Sequence, residues 1–182
     1  EKTGFIEKLF GDKVDTTIRN LDKNLFICYL EKPLISNNRI VVISPPLAER
    51  EYGFGVWLQK MAKLAQELSI PIVHLGHPDT QKIIAEQKDL KNLFIFIPFT
   101  DWNNPMACTE YIKENDLIVL VSARRGYISY VMALDHLPTQ LEYTFPQYNR
   151  IVIYPQQHAP DVLLKADHPI LSPFKIYKQK HS

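Results

Sequence analysis

The stretch 117–121, Leu-Ile-Val-Leu-Val, is apolar at every position. A strand with one wet face alternates polar and apolar residues, whereas a strand with no polar face needs cover on both sides. A central parallel strand between two helical layers meets that need. The surrounding sequence supplies the layers. Strand-like runs at 39–44, 70–75, 93–98, 117–121 and 150–154 alternate with helix-like segments at 54–68, 80–87, 106–114 and 138–143. This order predicts an α/β fold, a three-layer open parallel sheet of five strands wound with right-handed crossovers.

Local signals fix the boundaries. Trp57, Leu58, Met61, Leu64, Ala65 and Leu68 form one stripe at helical spacing, and Ser69 and Pro71 end it. Pro45-Pro46 stops the strand at 39–44, since proline cannot donate to a ladder. Pro78-Asp79 and Asn103-Asn104-Pro105 open two further helices. Ahead of this series lie a helix over 5–21, with Ile6, Leu9, Phe10, Val14, Ile18 and Leu21 on one face, and a short strand over 24–30. No strand precedes that helix, so the pair reads as the last helix and strand of a preceding repeat. An internal echo agrees. Gly4-Phe5-Ile6 leads to Asn24-Leu-Phe-Ile-Cys-Tyr, and Gly126-Tyr127-Ile128 leads to Asn149-Arg-Ile-Val-Ile-Tyr, with spacings that differ by about three residues. The expected division is 1–33 as the end of a preceding unit, 34–156 as the α/β domain and 157–182 as a surface tail.

At 182 residues the chain holds one such domain with something left over. A net charge of +1 gives no reason to expect nucleic acid as a partner. Cys28 and Cys108 make neither a disulfide scaffold nor a zinc site, which favours a reducing cytosol, and Cys28 is expected buried and inert within its strand. No apolar run approaches the roughly 20 residues that cross a bilayer. The opening Glu1-Lys-Thr-Gly, without an initiator methionine, reads as a piece of a longer polypeptide.

Chemistry concentrates where the central strand ends. Ser122, Arg124, Arg125 and Gly126 form a loop at the carboxyl end of that strand, the position where open α/β sheets bind ligands. Two guanidinium groups, a hydroxyl and a glycine suit an anion such as phosphate. The same residues also suit a salt-bridged interface or a solvated edge, and both readings stand. Ser44 and Pro45 end the first strand of the parallel set and would line the same cleft against a base or ribose. His74-Leu75-Gly76-His77 matches the short His-x-Gly-His signature of nucleotidylyltransferases, although strand-end histidines are commonly satisfied by backbone. Glu49, Arg50 and Glu51 read as a solvated loop, and Trp102 as folded onto the helix that follows it. No serine has an assigned histidine and carboxylate, and no metal set is placed.

Two stretches resemble the universal stress protein family. Residues 2–30 are similar to that family's closing helix and strand, with Gly11 at the last glycine of its G-x-x-G-x(9)-G-[S/T] motif. Residues 116–130, DLIVLVSARRGYISY, are similar to its fourth strand and phosphate loop, where Gly126 alone of the glycines remains. The stretches 43–57, ISPPLAEREYGFGVW, and 122–130, SARRGYISY, resemble more narrowly the cytosolic carboxyl-terminal region of bacterial sodium/proton or potassium/proton antiporters. The resemblance implies an adenine nucleotide alpha hydrolase-like sheet and a non-enzymatic regulatory domain on the cytoplasmic side of the bacterial inner membrane. It implies the membrane antiporter domain as partner, a homodimer, and ATP or another adenine nucleotide as ligand in the cleft between the first and fourth strands. Ser44, Pro45, Ser122, Arg124, Arg125 and Gly126 would line that cleft. The alternatives are a nucleotidylyltransferase using His74 and His77, and a dimerisation module without ligand.

Overall fold

The computed structural model describes residues 22–157 together with Ile18. Six strands form one sheet: β1 (Leu25–Tyr29), β2 (Arg39–Ile43), β3 (Ile72–Gly76), β4 (Phe94–Pro98), β5 (Asp116–Val121) and β6 (Arg150–Tyr154). Their order is β1-β6-β5-β2-β3-β4. Strands β2 to β6 run parallel, and β1 pairs antiparallel with β6. The α/β class and the alternation follow the sequence pattern. The strand count does not: the strand read as the remnant of a preceding unit joins the same sheet as a sixth strand.

Strand β5 lies inside the sheet, as its composition requires. Leu117, Val119 and Val121 point into one core and Ile118 and Leu120 into the other. The first core lies under α1 (Phe54–Leu68), which buries Phe54, Trp57, Leu58, Met61, Ala62 and Ala65. Its predicted span is the one observed; of the predicted stripe Leu64 and Leu68 are only half-buried, and Phe54 and Ala62 join the buried face. Phe54 and Trp57 meet edge to face at 5.3 Å; each fully buried side chain of this size contributes roughly 1.5–3 kcal/mol. At the end of α1, Ser69 takes a left-handed φ of 56° and its N–H reaches back to the helix carbonyls, after which Pro71 forbids another turn. Helix α2 (Pro78–Ala85) adds Ile84 to the same core.

The second core is thinner. Helix α3 (Leu137–Thr144) contributes Leu137 and Leu141. The segment expected as a helix over 106–114 is instead a 3₁₀ turn at Pro105–Tyr111, burying only Cys108. Seven residues with one buried side chain do not repay nucleation of an α-helix. Trp102 packs into this core, edge-on to Phe99 at 5.8 Å.

Cys28 is exposed, contrary to the expectation of an inert core thiol. The reason is position: β1 forms the sheet's rim, and its last two residues are open to solvent. The expected helix at 5–21 lies outside the described residues apart from Ile18, which is helical, and so does the tail beyond Gln157. Gln157, the last of the described residues, is buried.

Two polar anchors hold the amino-terminal edge of the sheet. Arg39 of β2 forks onto Asp116 of β5, which is fully buried and also accepts from the Lys113 N–H. Asn149, also fully buried, accepts from the Glu31 and Lys32 N–H groups at 2.8 and 3.0 Å and donates to Lys32 O and Asn37 Oδ1. This side chain fastens the exit of β1 to the start of β6. Replacing Asn149 by alanine strands several polar groups, at about 1–3 kcal/mol each where they stay dry. The expected outcome for Asn149→Ala is a fall of at least ~2 kcal/mol in unfolding free energy, measured by urea denaturation.

Candidate functional site

In an open α/β sheet the ligand crevice lies at the carboxyl ends of the strands where the winding reverses. Here that point falls between β2 and β5, which are neighbours, while the chain leaves β2 towards β3. The loop after β2 and the loop after β5 therefore face each other, as the sequence implies. What occupies the space between them is the chain itself.

Glu51 is 3% exposed, and its carboxylate accepts the backbone N–H of Ser129 at 3.0 Å and the Ser129 hydroxyl. Burial pushes this carboxyl above its usual range, and bonds from Ser129 and Gln157 and the Arg124 charge oppose the rise. Glu49 is also buried and accepts from the Thr80 hydroxyl at 2.6 Å, tying the same loop to α2. The solvated reading of Glu49 and Glu51 is thus corrected. A carboxylate in a loop looks solvated until its partner is known, and Ser129 is 78 positions away.

The residues expected to hold an anion do not converge around an open cleft. Ser44 is fully buried, and its hydroxyl lies 2.9 Å from His74 Nε2. Pro45 and Ser122 are buried as well, and the Ser122 N–H donates to Ile153 O. Arg124 is 7% exposed, and its guanidinium donates to the carbonyls of Ile18, Lys23 and Pro155 and to the Gln157 side chain. It lies over the Tyr154 ring at 5.9 Å. These partners sit beyond β6 and ahead of β1, whereas Ser44 follows β2 on the other side of β5. Burial draws its pKa down. Arg125 is exposed and forks onto Asp135, whose carboxyl it holds below the usual range, while the Tyr130 hydroxyl donates to the same carboxylate. Gly126 takes a φ of 85°, a conformation that suits glycine, and so serves the turn.

His74 and His77 are likewise separated. His74 is fully buried in β3, and burial pushes its pKa down to about 3, so it is neutral at physiological pH. Its ring is housed by Gly76: a Cβ there would stand 2.5 Å from His74 Cε1 and 2.7 Å from Ser44 Oγ. His77 caps α2, where its Nδ1 accepts the Asp79 N–H. The pair does not present two imidazoles to one phosphate. Among the described residues His74 Nδ1 has no hydrogen-bond partner, so the Ser44–His74 contact has no orienting carboxylate of a triad there. Among the described residues no group of three His, Cys, Asp or Glu side chains is placed to hold a metal ion.

Sequence reasoning missed four residues of this network: Glu51, Ser129, Gly53 and Gln157. Gly53 had a readable signal as a glycine just before a helix. Its N–H donates to Gln156 O at 2.8 Å, and a Cβ would stand 2.5 Å from Gln156 N, so the β2 loop lies flush against the chain leaving β6. The other three have long-range partners and no local signature. No family model, curated protein or solved structure matches this chain.

Two expected outcomes follow from this geometry. Arg124→Ala leaves buried carbonyls without a donor and lowers unfolding free energy by about 2–4 kcal/mol in urea titrations; Arg124→Lys does not restore it, because an ammonium cannot span carbonyls spread over the same fork. Arg125→Ala leaves the midpoint nearly unchanged. The second outcome concerns pH. The His74 pKa is depressed on folding, so its stabilising share is present above 6.5 and falls away as pH drops towards 3. By pH 5 the loss is about 2 kcal/mol. Glu51, with a raised pKa, shifts stability the opposite way, so the comparison is differential: His74→Gln flattens the fall between pH 7.5 and 5 relative to the parent, read from urea midpoints at each pH.

Proposed function

We propose that residues 34–156 form a universal stress protein-like regulatory domain of a monovalent cation/proton antiporter, on the cytoplasmic side of the bacterial inner membrane. In this reading the domain works by contact between domains and does not catalyse a reaction. The observation that carries it is the mutual locking of the two stretches that resemble antiporter tails. Residue 51 of the first bonds residue 129 of the second, and residue 124 of the second grips Ile18 and Lys23 ahead of β1.

That arrangement suits a coupling element. Displacing the segment ahead of β1 must break bonds to a guanidinium or drag the loop at 122–130 with it. Hydrogen bonds to a charged group contribute about 1.5–3 kcal/mol each. Coupling free energies between regulatory and functional sites are of similar size, roughly 1–3 kcal/mol. Any such control needs two arrangements that differ in free energy by what the coupled event supplies.

The loop geometry also bears on the ligand. A phosphate loop offers inward backbone N–H groups to an anion. Here the Ser129 N–H goes to the Glu51 carboxylate and the Arg124 N–H to Gln157 Oε1 at 2.9 Å. An adenine nucleotide would have to expel an internal carboxylate, so nucleotide sensing is not part of the proposal. The helices of the described residues are all too short or too polar to cross a membrane, so the transporter part of this reading belongs to a separate segment.

The test has two arms. Calorimetry with ATP, AMP and cyclic dinucleotides gives no binding heat under this proposal; micromolar binding to any of them overturns the ligand-independent mechanism. In everted vesicles carrying the polypeptide encoded by the intact gene, Arg124→Ala changes cation-driven proton exchange at least several-fold at equal protein level. A coding sequence without membrane-spanning segments, or exchange indifferent to Arg124, removes the antiporter reading.

A further inference from the structure

Two arginines of this domain close the side-on edge of the guanidinium, Nε with Nη2, on a carboxylate. Arg39 gives that edge to Asp116, and Arg125 gives it to Asp135. Arg150, the first residue of β6, does not. Its side chain is only 7% exposed, and both of its hydrogen bonds leave from Nη1, to the carbonyls of Phe145 and Tyr148 at 2.7 and 3.3 Å. Among the described residues Nε and Nη2 of Arg150 donate to nothing, yet neither is sealed off as the indole nitrogens of Trp57 and Trp102 are. A guanidinium pinned through one nitrogen therefore keeps its carboxylate-binding edge in contact with open space.

Arg150 lines an open pocket of about 100 Å³ between the sheet and α3. The ladder registers build its floor. Tyr29, Arg150 and Ile118 lie in one row across β1, β6 and β5, and Val152 and Leu120 lie in the next. Paired residues send their side chains to the same face. Ile118 and Leu120 belong to the second core, so this face is the one under α3. Helix α3 adds Thr139, Leu141 and Glu142 to the lining. The Arg150 guanidinium stands 5.5 Å from the centre of the Tyr29 ring, which backs the cation with a π face.

Glu142 brings the opposite charge. Its Oε1 lies 3.8 Å from Arg150 Nη2, beyond hydrogen-bond range, and its side chain is 61% exposed. One cation and one anion thus border an aliphatic floor without bonding each other. A simple carboxylate would complete the Arg150 fork but meet the Glu142 charge, and a simple amine would do the reverse. A molecule that carries both groups on one carbon satisfies both. The space equals about three waters, which leaves room for a short side chain and no more.

We propose that this pocket binds a small aliphatic α-amino acid. Its carboxylate sits on the Nε–Nη2 edge of Arg150, its ammonium on Glu142, and its side chain against Leu120, Leu141 and Val152. The site lies at the amino end of β6, apart from the loops after β2 and β5, and it does not rest on the antiporter reading.

Calorimetry on the 182-residue protein tests this with L-alanine and L-valine, and with butyrate and butylamine as the two halves of the ligand. The amino acids are expected to bind with roughly millimolar or tighter dissociation constants, and either half about ten-fold more weakly or worse. Glu142→Gln, at an exposed position, keeps the fold and lowers amino-acid affinity by about ten-fold or more without weakening butyrate. Arg150→Lys loses both ligands. Arg150 also braces two carbonyls, so where that variant does not fold Glu142→Gln decides the matter alone. The absence of binding heat with either amino acid at about 10 mM overturns the proposal. So does affinity that Glu142→Gln leaves intact, or butyrate bound as tightly as alanine.

Discussion

A guanidinium group withdrawn from water at the end of the central strand governs how this domain is closed. Charged groups leave water at a cost of several kcal/mol unless every donor finds an acceptor. Arg124 finds carbonyls on chain segments that enter β1 and leave β6, and its backbone N–H and guanidinium both meet the Gln157 amide. Those segments are far apart in sequence and are brought side by side by the β1–β6 ladder, and Arg124 fastens the loop after β5 to that junction. The loop after β5 is thereby set in position, and Ser129 stands where Glu51 can reach it. The setting of the loop after β5, and with it the Glu51–Ser129 contact that closes the crevice, depends on this demand for acceptors.

The sheet was readable because its signals are local. Five consecutive apolar residues predict a strand covered on both sides, and β5 divides its side chains between two cores. The stripe on α1 and the Ser69–Pro71 stop depend on neighbours within a turn or two, so the helix appears at its expected bounds. Where local signals weaken, the pattern misleads. Residues 105–111 bury one side chain and settle for a 3₁₀ turn. Cys28 sits in an apolar run, yet exposure depends on the strand's place in the sheet, which composition does not encode.

The functional end was legible in position but not in state. The sequence points to the loops after residues 43 and 121, and these do face each other at the reversal of winding. It does not show that both are filled from within. A pair of arginines beside a glycine has the same composition whether it awaits a phosphate or grips backbone carbonyls. The difference lies in partners such as Ile18 and Pro155, separated from Arg124 by 106 and 31 positions. Hydrogen bonds of this range become visible only once the fold brings the segments together.

The Ser44–His74–Gly76 arrangement has a consequence for how such a sequence can change. The imidazole of residue 74 occupies the space that a side chain at 76 would need, and residue 44 borders both. Volume at these positions is shared, so neither can grow unless the other shrinks. Related chains should therefore exchange 74 and 76 jointly, with a small residue always at one of the two. A His-x-Gly spacing can thus persist through evolution as a steric ledger, without any chemistry at the imidazole.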